Sequence, residues 1–301
     1  MVDVLQPGAV VGFAGLGRMG VPMAVRLAGA GYRVRGFDPV PEARAALDAV
    51  DGAQAVDRAA EIAAGAAAVV LMLPGTPVVR AVLGDEGGVL AALAPRALLI
   101  DMSSSEPIAT RELAVQAAKL GVRVVDAPVS GGVTGASEGT LTIMAGGDAG
   151  AVEATRPLLD QMGTVAHVGA AGAGHALKAL NNLMSGMSLL ATSEAMLVAR
   201  RFGLDLEVIL DVVNRSSGRS FSTELKMPRY ILPETYDSGF ALALMLKDMR
   251  IAIELARETG APAVLGEAAV EAWTRAAQML GDGADHTEIA RWVAARAEGG
   301  A

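Results

Sequence analysis

The 301-residue chain contains no cysteine. Disulfides and thiolate metal sites are therefore excluded. Aromatic residues supply only 3% of the sequence, so the core has to be built from aliphatic side chains. No basic surplus exists: the net charge is −8 and the isoelectric point lies near 5.0, which argues against nucleic acid as a partner. The most apolar run, Ile62 to Pro74, contains Gly65 and spans about a dozen residues, against about 20 for a membrane helix. Met1-Val2-Asp3 lacks the basic start of a signal peptide, and a cytoplasmic enzyme is the expectation. The three histidines, His167, His175 and His286, are too scattered to form a metal-ligand spacing. Lysine is also scarce. Of 25 basic residues four are lysine: Lys119, Lys178, Lys226 and Lys247.

What is present is apolar and periodic. Hydrophobic residues make up 52% and charged residues 19%, enough core for two domains at this length. Short Val/Ile/Leu runs predict strands over Val10–Phe13, Arg33–Phe37, Ala68–Leu73, Leu98–Asp101, Arg123–Asp126, Leu141–Ala145 and Val165–Val168. Between them lie helix-like stretches such as Pro41–Val50 and Pro107–Leu120. This alternation predicts an α/β fold, a doubly wound, mostly parallel sheet of the Rossmann kind over residues 8–170. Gly169 to Gly174 reads as a hinge. Beyond it no strand-like run occurs, and residues 171–298 are predicted all-helical, beginning with a long helix over His175–Arg201 that could join the domains. Glu298–Ala301 alone reads as a low-complexity tail.

Gly15-Leu16-Gly17-Arg18-Met19-Gly20 follows the first strand and opens a helix, the placement in which a glycine loop lets a pyrophosphate approach a helix N-terminus. Asp38 ends the second strand, eighteen residues after Gly20. Its carboxylate can accept the hydroxyls of an adenosine ribose, or simply form the turn before Pro39. Against a 2′-phosphate at 5 Å it would exert a repulsion of about 3 kcal/mol at an effective dielectric near 20. No arginine stands at 39 or 40, although Arg35 and Arg44 are near. NAD is thus expected over NADP. Three segments emerge at carboxyl ends of strands: Leu73-Pro74-Gly75, Asp101 to Ser105, and Asp126 to Gly132. In the last, Ser130 offers a hydroxyl, and Gly131 and Gly132 expose backbone N–H groups suited to a carboxylate. Ser103–Ser105 suit either ligand contact or capping of the helix at Pro107.

Positions 174, 178, 181, 182 and 185 share one helical face and read Gly, Lys, Asn, Asn, Ser in an otherwise Leu-, Met- and Ala-rich helix. Lys178 is either a snorkelling cation among satisfied amides or a general acid/base. An amine can trade its proton near neutrality when desolvated; arginine cannot.

Taken in order, these segments resemble the β-hydroxyacid dehydrogenase family, which includes 3-hydroxyisobutyrate dehydrogenases and tartronate semialdehyde reductases. The similarity runs from about Val10 to Ala256. The resemblance implies a Rossmann-like domain followed by an all-helical substrate and dimerisation domain, with the active site in the cleft and a homodimer or homotetramer as the assembly. Lys178 would be the catalytic acid/base. Ser130, Gly131 and Gly132 would anchor a small-molecule carboxylate substrate, with Asn182 helping to place it. Gly15 through Gly20, Leu73, Pro74, Ser104 and Lys247 would touch the cofactor. The segment Asn214 to Phe221 resembles the pocket of 3-hydroxyisobutyrate dehydrogenases, although Arg219 suits an ion pair equally well. Asp101-Met-Ser-Ser resembles the tartronate semialdehyde reductases instead. Imine reductases share the architecture but usually lack the lysine. A silent dinucleotide-binding relative would have lost it.

Overall fold

The computed structural model describes residues 4–84 and 87–296, so the readings at Met1–Asp3 and Glu298–Ala301 lie outside the described residues. The chain divides into two compact units between Lys178 and Ala179.

The first unit is built on one nine-stranded sheet. Its strands are β1 (Val10–Ala14), β2 (Arg33–Phe37), β3 (Ala53–Ala55), β4 (Ala68–Leu71), β5 (Leu98–Asp101), β6 (Arg123–Asp126), β7 (Val129–Ser130), β8 (Leu141–Gly147) and β9 (Gly163–Gly169). Every residue of β4 and β5 is buried, as a strand covered on both faces requires. The order is β3-β2-β1-β4-β5-β6-β8-β7, with β9 on β8. From β3 to β6 all pairs are parallel, and the chain reverses direction across the sheet between β1 and β4. Ligand crevices of open α/β sheets form at such a reversal. The predicted strands are all found. Two were missed, β3 and β7, of three and two residues. β8 runs antiparallel to β6 and β7.

Helices flank the sheet: α1 (Gly20–Gly29), α2 (Pro41–Asp48), α3 (Thr76–Leu83), α4 (Val89–Ala92), α5 (Pro107–Lys119), α6 (Gly132–Glu138) and α7 (Ala149–Leu159). Proline opens α2 and α5, where the missing N–H costs nothing. Helix α1 buries Met23, Ala24, Leu27 and Ala28, one stripe at helical spacing, in the core that also holds Val11, Phe13 and Ile100. A second core on the other face gathers Ile62, Leu71, Leu83 and Leu99.

Helix α8 (Ala173–Phe202) carries the boundary between the units; at 30 residues it is about 45 Å long. The second unit continues through α9 (Leu206–Val213), a ten-residue π-helix (Ser222–Ile231), α10 (Leu242–Thr259), α11 (Val264–Leu280) and α12 (Ile289–Arg296). Its core centres on the fully buried Trp273 with Leu189, Met249 and Ile289. Glycines allow the helices to approach closely. A Cβ on Gly186 would meet Met249 Sδ at 2.6 Å, and one on Gly266 would meet Ile253 Cδ1 at 2.7 Å. No helix among the described residues is long and apolar enough to cross a membrane.

Candidate active site

The glycine loop sits after β1, beside the sheet reversal. Gly15 has φ +94°, and a Cβ there would lie 2.2 Å from Met72 O. A Cβ on Gly20 would lie 1.8 Å from Gly15 O. Packing within the protein thus dictates both residues. Gly17 differs: a Cβ there would meet nothing within 4 Å. The chain leaves open space at the one loop glycine whose role in a dinucleotide site is to let the pyrophosphate approach the backbone. The loop therefore fits a bound dinucleotide. Leu16 N–H donates to Asp38 Oδ2 at 2.8 Å and Val40 N–H to Asp38 Oδ1 at 2.9 Å. Asp38 is both the turn former and the carboxylate beside the loop. The two nearby arginines are occupied by backbone carbonyls: Arg44 binds Asp38 O at 2.7 Å and Arg35 binds Ala64 O at 2.7 Å.

At the end of β4, Leu73 N–H donates to Ser103 Oγ at 3.0 Å. Ser103 and Ser105 in turn bind the buried Asp101, through backbone N–H and hydroxyl respectively. The capping alternative for these serines fails. Helix α5 follows Glu106 without a side-chain cap, and Glu106 N–H goes to Thr76 Oγ1 at 2.8 Å. Ser104 lies between the two, half-buried.

The least expected feature is Asp126, fully buried at the end of β6. Its Oδ1 accepts from Gly172 N–H at 2.8 Å and its Oδ2 from His175 N–H at 3.0 Å. A carboxylate thus satisfies N–H groups that the start of α8 would leave unpaired, where negative charge is also favoured. His175, likewise buried, meets Thr110 Oγ1 with Nδ1 at 2.8 Å, and its Nε2 lies 3.8 Å from Asp101 Oδ2. Gly174 permits this approach, since a Cβ there would lie 2.2 Å from Met144 O. The hinge-like glycines thus form a docked helix start. Lys178 follows three residues after His175 and is 9% exposed. Four residues after Asp126 comes Ser130, then Gly131 and Gly132 at φ +132° and +64°, where α6 begins. One carboxylate therefore ties the lysine helix to the strand that delivers the serine-glycine segment. Sequence spacing could not reveal it: 46 residues separate Asp126 from Gly172.

In the second unit Asn182 Nδ2 donates to the buried Asp248 Oδ2 at 2.6 Å, and Asn181 Nδ2 donates to Asn182 Oδ1 at 3.1 Å. Lys247 Nζ lies 3.1 Å from Asp248 Oδ1, an ion pair rather than an aligned hydrogen bond. The amide of Asn182 is thereby fixed in orientation on α8. Arg219 pairs with Glu224 at 2.6 Å on the surface, and Phe221 is 62% exposed. Among the described residues no group of His, Asp or Glu could hold a metal ion.

Fold and site together define a dinucleotide-dependent oxidoreductase. Residues 10–172 match the NAD binding domain of 6-phosphogluconate dehydrogenase, and residues 172–293 match the NAD-binding region of NADP-dependent 3-hydroxyisobutyrate dehydrogenase. The chain belongs to the β-hydroxyacid dehydrogenase family and is an NAD-dependent hydroxyacid oxidoreductase. It is 39% identical to 2-(hydroxymethyl)glutarate dehydrogenase of Eubacterium barkeri, over 86% of each chain. It is 40% identical to 3-hydroxyisobutyrate dehydrogenase of Pseudomonas aeruginosa, over 85% of this chain and 88% of that one. The structure of Mycobacterium tuberculosis 3-hydroxyisobutyrate dehydrogenase with L-serine superposes with a TM-score of 0.88 at 35% identity, covering 95% of this chain and 99% of that one.

Proposed function

We propose that the chain oxidises a small 3-hydroxy acid of the 3-hydroxyisobutyrate type to its semialdehyde, reversibly, with Lys178 as acid/base. The observation that carries this reading is the double anchorage of α8 on Asp126, which presents a buried lysine from the same strand end that leads into Ser130-Gly131-Gly132. Bound NAD supplies the hydride acceptor. The Ser130 hydroxyl and the N–H groups of Gly131 and Gly132 hold the substrate carboxylate, and Asn182 orients the hydroxyl carbon. Lys178 takes the hydroxyl proton in oxidation and returns it in reduction. A positioned acid/base of this kind is typically worth about 10²–10⁴ in rate. Gly15 to Gly20, Asp38, Leu73, Pro74, Ser104 and Lys247 complete the cofactor contacts. Residues 8–170 form the dinucleotide domain and residues 171–298 the substrate and dimerisation domain, a division supported by the two family matches that adjoin at residue 172.

The names of the relatives support a substrate class. 3-Hydroxyisobutyrate, serine and 2-(hydroxymethyl)glutarate are all 3-hydroxypropanoates that differ at C2, where they carry a methyl, an amino or a carboxyethyl group. We assign this chain a 3-hydroxypropanoate with an alkyl, carboxyalkyl or amino group on C2. Tartronate semialdehyde reduction is the alternative, supported by the Asp101-Met-Ser-Ser segment. The same reading gives a homodimer or homotetramer in the cytoplasm. Exposed apolar side chains on the second unit support the assembly, among them Phe202 at 82% and Val264 at 74% exposure.

Absorbance at 340 nm with NAD and a panel of 3-hydroxyisobutyrate, L-serine, glycerate and 2-(hydroxymethyl)glutarate tests the proposal. Turnover of 3-hydroxyisobutyrate, L-serine or 2-(hydroxymethyl)glutarate is expected, and glycerate, which carries a hydroxyl on C2, as the preferred substrate would instead support the alternative. Lys178→Ala is expected to lose at least a hundredfold in kcat while keeping its NAD affinity. Near-normal turnover in that variant would remove Lys178 from the mechanism.

A further inference from the structure

Lys226 is the one buried lysine with no part in the chemistry above. It sits in the π-helix, 5% exposed, a form of helix that recurs at functional sites. Its Nζ donates to Ser185 Oγ at 2.9 Å and lies 5.9 Å from the centroid of the Phe221 ring. Among the described residues it forms no ion pair and no second hydrogen bond. The anionic neighbour that acts on it, Asp285, is already committed: its carboxylate accepts from Ser238 Oγ at 2.8 Å, Gly239 N–H at 2.9 Å and Thr287 N–H at 2.9 Å. An ammonium has three donors, and two of these are unmatched in a water-poor place. Burial of a cation with no anion in direct contact is costly, and two donors remain for one.

The position of that cation is informative. Ser185 follows Lys178 by seven residues on α8, two turns less about 20°, so both lie on one helical face about 10 Å apart. Asn181 and Asn182 stand between them. An acid whose reacting hydroxyl is served by Lys178, and which extends along this face, would reach Lys226 with its far end.

We propose that Lys226 is a substrate-binding cation that receives the distal carboxylate of a dicarboxylic 3-hydroxy acid, so that the group on C2 preferred by this enzyme is itself acidic. The assignment rests on the reading of Lys178 as the acid/base and extends it to substrate choice. Ser185 holds the ammonium in place, and Phe221 flanks it on one side. Burial lowers the Lys226 pKa from 10.5 to about 8 against the opposing pull of Asp285, which leaves the amine charged at neutral pH and ready for the carboxylate. His286, also buried, adjoins the same group and is pushed down in pKa by burial first and by Lys226 among other influences.

The test compares 2-(hydroxymethyl)glutarate with 3-hydroxyisobutyrate as substrates at pH 7, in the wild-type enzyme and in Lys226→Met and Lys226→Arg. The wild type is expected to favour the dicarboxylate by at least tenfold in kcat/KM. That ratio is expected to fall at least tenfold in Lys226→Met, mainly through KM, and to be largely restored in Lys226→Arg. Calorimetry on the NAD-loaded enzyme with glutarate and butyrate, which lack the reacting hydroxyl, reads the anchor without turnover. Glutarate is expected to bind at least tenfold tighter than butyrate in the wild type, and the difference should vanish in Lys226→Met. If Lys226→Met does not fold, Lys226→Gln replaces it. No dicarboxylate preference in the wild type, or the same preference in the uncharged variant, overturns the proposal. If glutarate binds as expected but no 3-hydroxy acid is turned over, the dehydrogenase reading falls and the anchor stands.

Discussion

At the scale of single residues, Lys226 and Lys178 show how a scarce side chain can mark chemistry. Both are buried lysines in a chain whose positive charge is mostly arginine. Sequence reading singled out Lys178 because it sits in a polar stripe at helical spacing. Lys226 was equally visible but had no stripe around it. Its partner Ser185 lies 41 residues away, and nothing in the local pattern announces a π-helix. The lowered Lys226 pKa also carries a stability consequence. The unfolded chain holds this proton up to about pH 10.5 and the folded chain only up to about 8. Between those values the unfolded state binds more protons, so stability from this group rises with pH, and the penalty is fully present below pH 8. Its upper bound is about 3 kcal/mol. Lys226→Met is therefore expected to be more stable than the wild type at pH 7. Urea unfolding at pH 7 and pH 10 should show that advantage shrinking. Two parallel pH profiles would mean that Lys226 is not buried as described, with Asp285 and His286 as the neighbouring groups to check.

The elements were largely legible. Strands with four or five consecutive apolar residues declared themselves, and so did the glycine loop, because its spacing is local. The sequence could not reveal direction: β8 pairs antiparallel with β6, a fact set by tertiary pairing and not by composition. It also left the role of Ser103 and Ser105 open between capping and ligand contact, because a serine before a proline-led helix looks the same whether it caps the helix or binds a neighbouring loop. The docking of α8 was hidden for the same reason, since its anchor belongs to another element. That anchor can be tested. In Asp126→Asn one of the two acceptor oxygens becomes an amide facing a backbone N–H, and buried hydrogen bonds to a charge are worth about 1.5–3 kcal/mol each. The variant is expected to lose about 2–4 kcal/mol in denaturant unfolding and to lose more in kcat than in NAD affinity. An unchanged kcat would show that Lys178 is placed by other contacts.

For the molecule as a whole, the two units have separate cores, one aliphatic on both faces of a sheet and one helical around Trp273. Asp38 belongs to the first, so cofactor choice is expected to be a property of that unit. NAD should exceed NADP by about a hundredfold in kcat/KM, following the repulsion of about 3 kcal/mol estimated for a 2′-phosphate. Equal values for the two cofactors would mean that Arg35 or Arg44 leaves its carbonyl partner to neutralise the phosphate.

The two backbone amides on Asp38 set a limit of their own. A carboxylate offers about four lone-pair positions. Leu16 and Val40 occupy one each, which leaves two for the two hydroxyls of one ribose. The loop is thus tethered before any nucleotide arrives, so its ordering entropy is spent during folding and not on association. Capture of the coenzyme should therefore be fast, with little change in the heat capacity of this segment.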